Sequence, residues 1–312
     1  MKPLTPDKLN GLIVIDKPAD MSSARVVSRV KKLLNAKKVG HTGTLDPFAT
    51  GLLICCINDA TRLAGFFLNG CKTYQAILQL GVETDTQDCT GTVTSTQDVG
   101  EYSDSEIESV FNAFTGSLFQ QPPIFSALKH MGTPLYKLAR SGKPFQKAPR
   151  RVTISSMNIV DIHLPTISFE VTCSAGTYIR TLSADIGNAL GCGGHLKQLR
   201  RISSSGLTIR EAVSLAELQQ LFDSDSLEQK LIRMTDALPD MPEYIAYNGL
   251  ADQIRHGVIL KQNDIEFSMD AHAANHLKVV DREKNLLAVL RYDRNSCIYH
   301  YCCVFRTQHD VL

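Results

Sequence analysis

The stretch KVGHTGTLDPFATGLL (Lys38–Leu53) contains three glycines, one histidine, three threonines and a single acid, Asp46. Gly40, Gly43 and Pro47 punctuate it too closely for regular structure, so it reads as a loop. GLLICCI (Gly51–Ile57) leaves that loop as a buried strand. A phosphate-cradling loop would carry no acid and would need a Lys after its last glycine. Neither condition is met, and no dinucleotide fingerprint occurs elsewhere. The bends present one carboxylate, placed between a leucine and a proline. Taken alone, Asp46 reads as a turn-forming or helix-capping residue rather than a catalytic one.

Upstream of the loop, GLIVID (Gly11–Asp16) is an apolar run that predicts a strand. Ser22 or Ser23 then caps a predicted helix with Val26, Val27, Val30, Leu33 and Leu34 at helical spacing. Downstream, KTYQAILQLG alternates, with Tyr74, Ala76, Leu78 and Leu80 on one face of a half-exposed strand. Ser103 and Glu106 form a capping box for a helix that Gly116 stops. Residues 120–151 are basic, rich in Pro and Gly and weakly periodic, which predicts an irregular binding segment. Strands follow at RRVTISSMNIVDIHL and ISFEVTCSAG, then a helix over roughly Thr177–Leu190 and an extended return through HLKQLRRISSSGLTI. Ser214 and Glu217 open one more helix. After Arg233, DALPDMPEYIAYNG reads as a connector and the remainder as a small all-β module. Strands and helices do not alternate strictly, so the expected fold is α+β, with a mixed, largely antiparallel sheet and flanking helices. The expected division is 1–235, with a basic insertion at about 120–151, and 236–312.

Composition is that of an ordinary soluble globular chain, 43% hydrophobic and 21% charged. No apolar run is long enough to suggest a membrane span, and Asp16 and Lys17 interrupt the only N-terminal apolar patch, so no signal peptide is expected. Nine cysteines fall in no regular framework, and two pairs are adjacent (Cys55-Cys56 and Cys302-Cys303). Reduced thiols and a cytoplasmic location follow as expectations. Net charge is only +1, yet the charges are segregated. Met21–Leu45 has six Lys or Arg and no acid, Lys129–Arg151 has seven and no acid, and Glu83–Glu108 has eight acids and no Lys or Arg. Such segregation can give a nearly neutral molecule one basic face, the footprint of a polyanion partner.

Several chemistries are poorly supported. Cys192-Gly-Gly-His195 is a weak metal hint without a second ligand pair. The elements of zinc-dependent base deamination are missing. DCTG at Asp88 weakly matches an aspartic-protease signature, which would need a second copy that the chain lacks. One acid is poor equipment for hydrolysis by paired carboxylates, but adequate for a reaction at a sugar carbon that uses no external water.

Six motifs occur in order: GLIVIDKPADMSS, KVGHTGTLDPFATGLL, KTYQAILQLGVETDTQDCTG, PPIFSALKHMGTPLYKLAR, GTYIRTLSADIG and HLKQLRR. Across roughly residues 10–220 they closely resemble the B family of pseudouridine synthases, the bacterial tRNA pseudouridine-55 synthases. The resemblance implies the pseudouridine synthase fold and an isomerase that needs no cofactor and no metal. Asp46 then matches the catalytic acid, acting at the ribose either by covalent attack at C1′ or by removing the 2′ proton. Tyr74 matches the aromatic that stacks on the flipped uracil and is a candidate for proton transfer at C5. Tyr178 and Arg180 match a Y-I-R pair whose arginine is expected to ion-pair with Asp46, favouring the charged form that a nucleophile or base needs. His41 matches a residue that packs against the remodelled RNA loop, and Leu199 would complete the sandwich around the base.

The resemblance further implies that the basic insertion closes over the T-loop of tRNA and that the C-terminal module is a PUA-like β-barrel. Lys17, Lys129, Arg140, Arg150 and Arg200 are the candidate RNA-backbone contacts. A monomer acting on the T-arm, without a guide RNA and without a membrane, is the expectation. A guide-RNA-dependent relative and a non-catalytic tRNA-folding module are the rivals. The basic insertion argues against the first, and the joint presence of Asp46, Tyr74 and Arg180 against the second.

Overall fold

In a computed structural model, the structure describes residues 9–247, 249–265 and 276–305. The chain runs β1 (Gly11–Lys17), α1 (Ser23–Leu33), β2 (Val39–His41), β3 (Thr50–Ile57), α2 (Ala64–Leu68), β4 (Lys72–Leu80), β5 (Val82–Thr84), β6 (Val93–Thr96) and α3 (Asp104–Ala113). Next come β7 (Gly116–Gln120), β8 (Lys129–His130), β9 (Thr133–Pro134), α4 (Leu135–Arg140), β10 (Arg150–His163), β11 (Thr166–Cys173), α5 (Ile179–Ala189), β12 (Gly194–Ser204), β13 (Leu207–Thr208) and α6 (Leu215–Asp223). The last part holds β14 (Glu243–Ile245), α7 (Leu250–Arg255), β15 (Leu260–Lys261), β16 (His276–Val280), β17 (Leu286–Asp293) and β18 (Ile298–Val304).

The main sheet is ordered β1-β3-β12-β4-β11-β10-β7, with β2 on β3 and β13 on β12. Its neighbours are antiparallel except β3 and β12, where Arg200 pairs with Thr50 and Arg201 with Gly51 in parallel. Only glycine fits at 51: its φ is +98°, and a Cβ there would lie 2.3 Å from the Arg201 carbonyl oxygen. The mixed, largely antiparallel α+β fold expected from the sequence is therefore observed.

The sheet is covered on one face where its strands alternate and on both where they are continuously apolar. The alternation in β4 buries Tyr74, Ala76, Leu78 and Leu80 against Ile107 and Phe111 of α3 and Ile179, Leu182 and Ile186 of α5. β1 and β3 are apolar at successive positions and are buried on both faces. Ile13, Ile15, Leu53 and Cys55 meet Val26 and Val30 of α1 and Leu218 of α6. Leu12, Val14, Leu52 and Ile54 share a core with Val280, Leu286, Val289 and Phe305 of the C-terminal part. The helix ends follow the capping signals: Ser22 accepts from Arg25 N–H, and complete capping boxes stand at Ser103/Glu106 and Ser214/Glu217.

Four expectations need correction. The Lys38–Leu53 loop is interrupted by β2, whose Val39, Gly40 and His41 pair with Ile57, Cys56 and Cys55. Backbone pairing to an available strand edge outweighs glycine's low strand propensity there. The basic insertion is not wholly irregular: it folds into the β8–β9 hairpin and α4, and the rings of His130 and Phe145 stack at 3.7 Å. The supposed connector contributes β14, parallel to β16, and buries Ala237 and Leu238. The C-terminal module is not all β, since α7 packs on its sheet. That sheet is a curled five-stranded half-barrel ordered β14-β16-β17-β18-β15, in keeping with a PUA-like domain. Among the described residues no helix is long and apolar enough to cross a membrane. Most of the C-terminal tail, residues 306–312, lies outside the described residues.

Candidate active site

Asp46 is held by its neighbours on both sides. Ser23 Oγ, buried, accepts from Leu45 N–H at 2.9 Å and donates back to Leu45 O at 3.1 Å. Lys17 Nζ donates to Pro47 O at 3.0 Å. Further back, Thr42 N–H donates to Ile54 O, and Arg201 Nη2 donates to Gly43 O at 3.0 Å. A loop that looks flexible by composition is therefore pinned at four points around its carboxylate.

Arg180, in the first turn of α5, meets Asp46 in a two-pronged contact. Nε donates to Oδ2 at 2.9 Å and Nη2 to Oδ1 at 3.2 Å. The remaining donors go to the carbonyls of Thr86 (2.9 Å) and Phe125 (2.9 Å). The Arg180 side chain is 3% exposed whereas that of Asp46 is 33% exposed, so the guanidinium is internal and the carboxylate faces outward. A bidentate pair of this kind fixes orientation as well as charge.

A second carboxylate shares the arginine. Asp88 Oδ2 lies 3.6 Å from Arg180 Nε, and Asp88 Oδ1 accepts from Thr86 Oγ1 (2.8 Å), Thr90 N–H (2.9 Å) and Thr90 Oγ1 (2.6 Å). Sequence reasoning set Asp88 aside because no second DCTG exists. Asp88 needs no twin motif, because Arg180 of α5 brings its Nε to both Asp88 (3.6 Å) and Asp46 (2.9 Å).

Asp46 and Arg180 line a cavity of about 380 Å³ with Tyr74, Leu199, Tyr178, Ser126, Lys72, Arg150 and Arg201. Tyr74 and Arg201 are directly paired across β4 and β12, and Leu199 pairs with Ala76 two residues along, so all three share a face. Burial pushes the Tyr74 hydroxyl above its ordinary range, while the positive charge of nearby Arg201 works in the opposite direction. The Tyr178 ring is in contact with two guanidinium groups, Arg150 at 5.1 Å and Arg180 at 5.9 Å from its centroid. Its backbone is clasped by Gln120, which accepts from Tyr178 N–H at 2.7 Å and donates to Tyr178 O at 3.0 Å. Two buried polar atoms of cavity-lining residues, Ser126 Oγ and Arg150 Nε, have no hydrogen-bond partner among the described residues. Four cations face one carboxylate in the lining, so the pocket suits an anionic ligand.

The other sequence candidates distribute unevenly. Asp46, Tyr74, Tyr178, Arg180, Leu199 and Arg150 converge on the cavity. His41 does not line it; its Nδ1 accepts from Gly43 N–H at 3.3 Å, and burial with nearby Arg201 holds its pKa below the usual value. Lys129 and Arg140 are exposed on the insertion. Arg200 turns to the opposite strand face and pairs with Asp16 at 2.7 and 3.1 Å. Lys17 is corrected outright as an RNA contact. It is 0% exposed, its ammonium is occupied by the carbonyls of Pro18, Met21 and Pro47, and burial lowers its pKa to about 8. Cys192 and His195 donate to or contact backbone carbonyls, and no cluster of three or more metal-ligating side chains occurs among the described residues.

The fold is that of the pseudouridine synthases. A chain in the crystal structure of a Cbf5-Nop10-Gar1 complex superposes on 96% of this chain and 86% of its own, with TM-score 0.72 and 23% identity. A chain in an H/ACA RNP structure with a substrate RNA containing 2′-deoxyuridine gives 0.72 at 22% identity, covering 96% of this chain and 86% of its own. Within that fold, residues 31–179 match the N-terminal domain of the TruB family pseudouridylate synthases, and residues 180–238 match the tRNA pseudouridylate synthase B C-terminal domain. The protein named tRNA pseudouridine synthase B of Geobacter sulfurreducens is 42% identical over 258 residues, 83% of this chain and 85% of that protein. Its namesake from Burkholderia mallei is 41% identical over 283 residues, 91% of this chain and 93% of that protein. The chain belongs to the TruB family of pseudouridylate synthases.

Proposed function

We propose that this TruB-family protein isomerises uridine 55 in the T-loop of tRNA to pseudouridine, without a cofactor. The observation that carries the reading is the outward-facing Asp46 carboxylate gripped through both oxygens by buried Arg180, at the mouth of a cavity large enough for a nucleoside. The target uridine leaves its stack and enters the cavity. Tyr74 and Leu199 replace the lost stacking, at a cost of a few kcal/mol for unstacking that a remodelled loop lowers. Asp46 then acts at C1′ or at the 2′ proton, the glycosidic bond breaks, the uracil turns, and C5 joins C1′. Arg180 keeps the carboxylate aimed, Asp88 adds a second negative charge beside the Arg180 Nε, and Tyr74 is a neutral phenol placed to move the C5 proton. His41 packs against the remodelled RNA loop and Tyr178 forms the cavity wall.

The basic insertion closes over the T-arm through Lys129, Arg140 and Arg150, and Arg200 stands outside the pocket with its charge shared with Asp16. Residues 236–312 form a PUA-like RNA-binding module. The protein acts as a cytoplasmic monomer, without guide RNA. The test is incubation with an unmodified tRNA transcript and with a minimal T-arm hairpin, adding no nucleotide, flavin or transition metal, then chemical mapping of pseudouridine. Conversion of the transcript at position 55 alone is expected. Conversion only after a guide RNA and partner proteins are added would replace this reading with the guided one.

A further inference from the structure

Arg201 is 2% exposed and lines the cavity, yet among the described residues no carboxylate forms an ion pair with it. Of the other pocket cations, Arg180 alone has carboxylate partners among the described residues, Asp46 and Asp88. Lys72, like Arg201, has only carbonyls, those of Leu68 (2.7 Å) and Gly70 (2.6 Å), but Arg201 is the one paired with Tyr74 across β4 and β12. Arg150 lies at the rim against Tyr178. Arg201 donates Nε to Leu52 O at 2.7 Å and Nη2 to Gly43 O at 3.0 Å, and it faces Tyr74 across the β4–β12 pairing. Carbonyl oxygens satisfy its N–H groups without cancelling its charge. A buried charge with no counter-ion is costly, and a fold keeps one most readily where a ligand supplies the opposite charge.

The proposed reaction supplies such a charge. When the C1′–N1 bond breaks, its electron pair leaves with the base and spreads over N1, O2 and O4, whichever way Asp46 acts. On the covalent route a carboxylate oxygen replaces N1 at C1′. On the elimination route Asp46 takes the 2′ proton and a C1′–C2′ double bond forms. Both leave a uracil anion beside Tyr74, on the strand pair that carries Arg201. We infer that Arg201 is the cation that stabilises the detached uracil anion, a catalytic role in addition to its hold on the Gly43 carbonyl. The inference rests on the reading of the cavity as the uridine site. A preorganised charge in a water-poor pocket acts on the transition state without reorganising.

The test compares leaving groups. Single-turnover consumption of the starting nucleoside is followed in two T-arm hairpins, one with uridine and one with 5-fluorouridine at the target position. Fluorine withdraws electron density and stabilises the anion by itself, so it substitutes in part for the cation. Arg201→Gln keeps an N–H donor for one carbonyl but removes the charge. It should slow the uridine hairpin about 100-fold and the 5-fluorouridine hairpin less than about tenfold. Arg201→Lys, which keeps a charge, should lie within about tenfold of wild type on uridine. Lys17→Met, which only loosens the Asp46 loop, should slow both hairpins by the same factor. Equal slowing of both hairpins by Arg201→Gln, or no slowing, overturns the inference and leaves Arg201 as a loop tether. If Arg201→Gln does not fold, an Arg201→Lys deficit equal on both hairpins does the same. A wild-type protein that forms no pseudouridine in the uridine hairpin removes the parent reading and this one with it.

Discussion

Asp46 and Asp88 share one guanidinium but differ in what else holds them. Asp88 is 4% exposed and accepts three further hydrogen bonds, whereas Asp46 keeps a third of its side chain open. Asp46→Asn should therefore fold, because Arg180 retains Asp88, yet fall below about a thousandth of wild-type turnover, since an amide is neither nucleophile nor base. Asp88→Asn should instead cost about 2–4 kcal/mol in a urea melt by leaving a buried charge half-compensated. At Tyr74, Phe should keep the stacking and stall product formation, while Leu should also weaken hairpin binding. Equal, near-normal rates for both would reduce Tyr74 to filling space. Lys17 gives a pH prediction. Its three carbonyl acceptors need three N–H donors, which only the ammonium has, and burial lowers its pKa to about 8. The folded state thus binds this proton less tightly than the unfolded chain. Its charge costs stability below about pH 8, and that cost is relieved as pH rises toward the ordinary lysine value of 10.5. The loop tether behaves oppositely, since a neutral amine releases one carbonyl. Turnover should decline through about pH 8 while the melting temperature does not fall with it, and a flat rate profile up to pH 9.5 would disprove the tether.

Elements with strong local signals were readable from the sequence. α1, α3 and α6 begin where their serine caps stand, and β4 follows its alternation residue by residue. β12 was harder. Placing Leu199 in the pocket commits Arg201, two residues on, to the same face, but Arg200 was nominated as the RNA contact. Position along the strand, not charge alone, separates the two arginines. β2, β14 and α7 carry weak local signals and exist because neighbouring strands offer edges and apolar cover. The basic insertion was recognised by charge, although its hairpin and helix were not. Exposed Lys137, Arg140 and Lys143 lie in and just after α4. Reversing all three should leave circular dichroism unchanged, weaken tRNA binding, and lower the slope of log affinity against log salt by about 2–3, one phosphate contact each. An unchanged slope would remove the insertion from the RNA interface.

At the scale of the molecule, net charge concealed the site: a chain of +1 carries four cations around one carboxylate in its cavity. Only the fold brings Lys72, Arg150, Arg180 and Arg201 together from separate strands and a helix. The same scale bears on the proposed division at residue 235. The topology separates two sheets, but the core does not separate. Val280, Leu286, Val289 and Phe305 are each at most 2% exposed, and they pack with Leu12, Val14, Leu52 and Ile54 from the other sheet. Lys278 Nζ donates across the boundary to Thr235 O (2.9 Å), and Arg62 donates across it to Val304 O. At about 1.5–3 kcal/mol per buried large apolar side chain, four such contacts are comparable to the whole stability of an ordinary domain, about 5–15 kcal/mol. The two modules should therefore melt together. A calorimetric scan of the full chain is expected to give one transition, and a fragment ending at residue 235 should aggregate or melt at least about 10 °C lower. Two resolved transitions, or a soluble 1–235 fragment with an unaltered melting temperature, would show that the shared core contributes little and that the modules are independent.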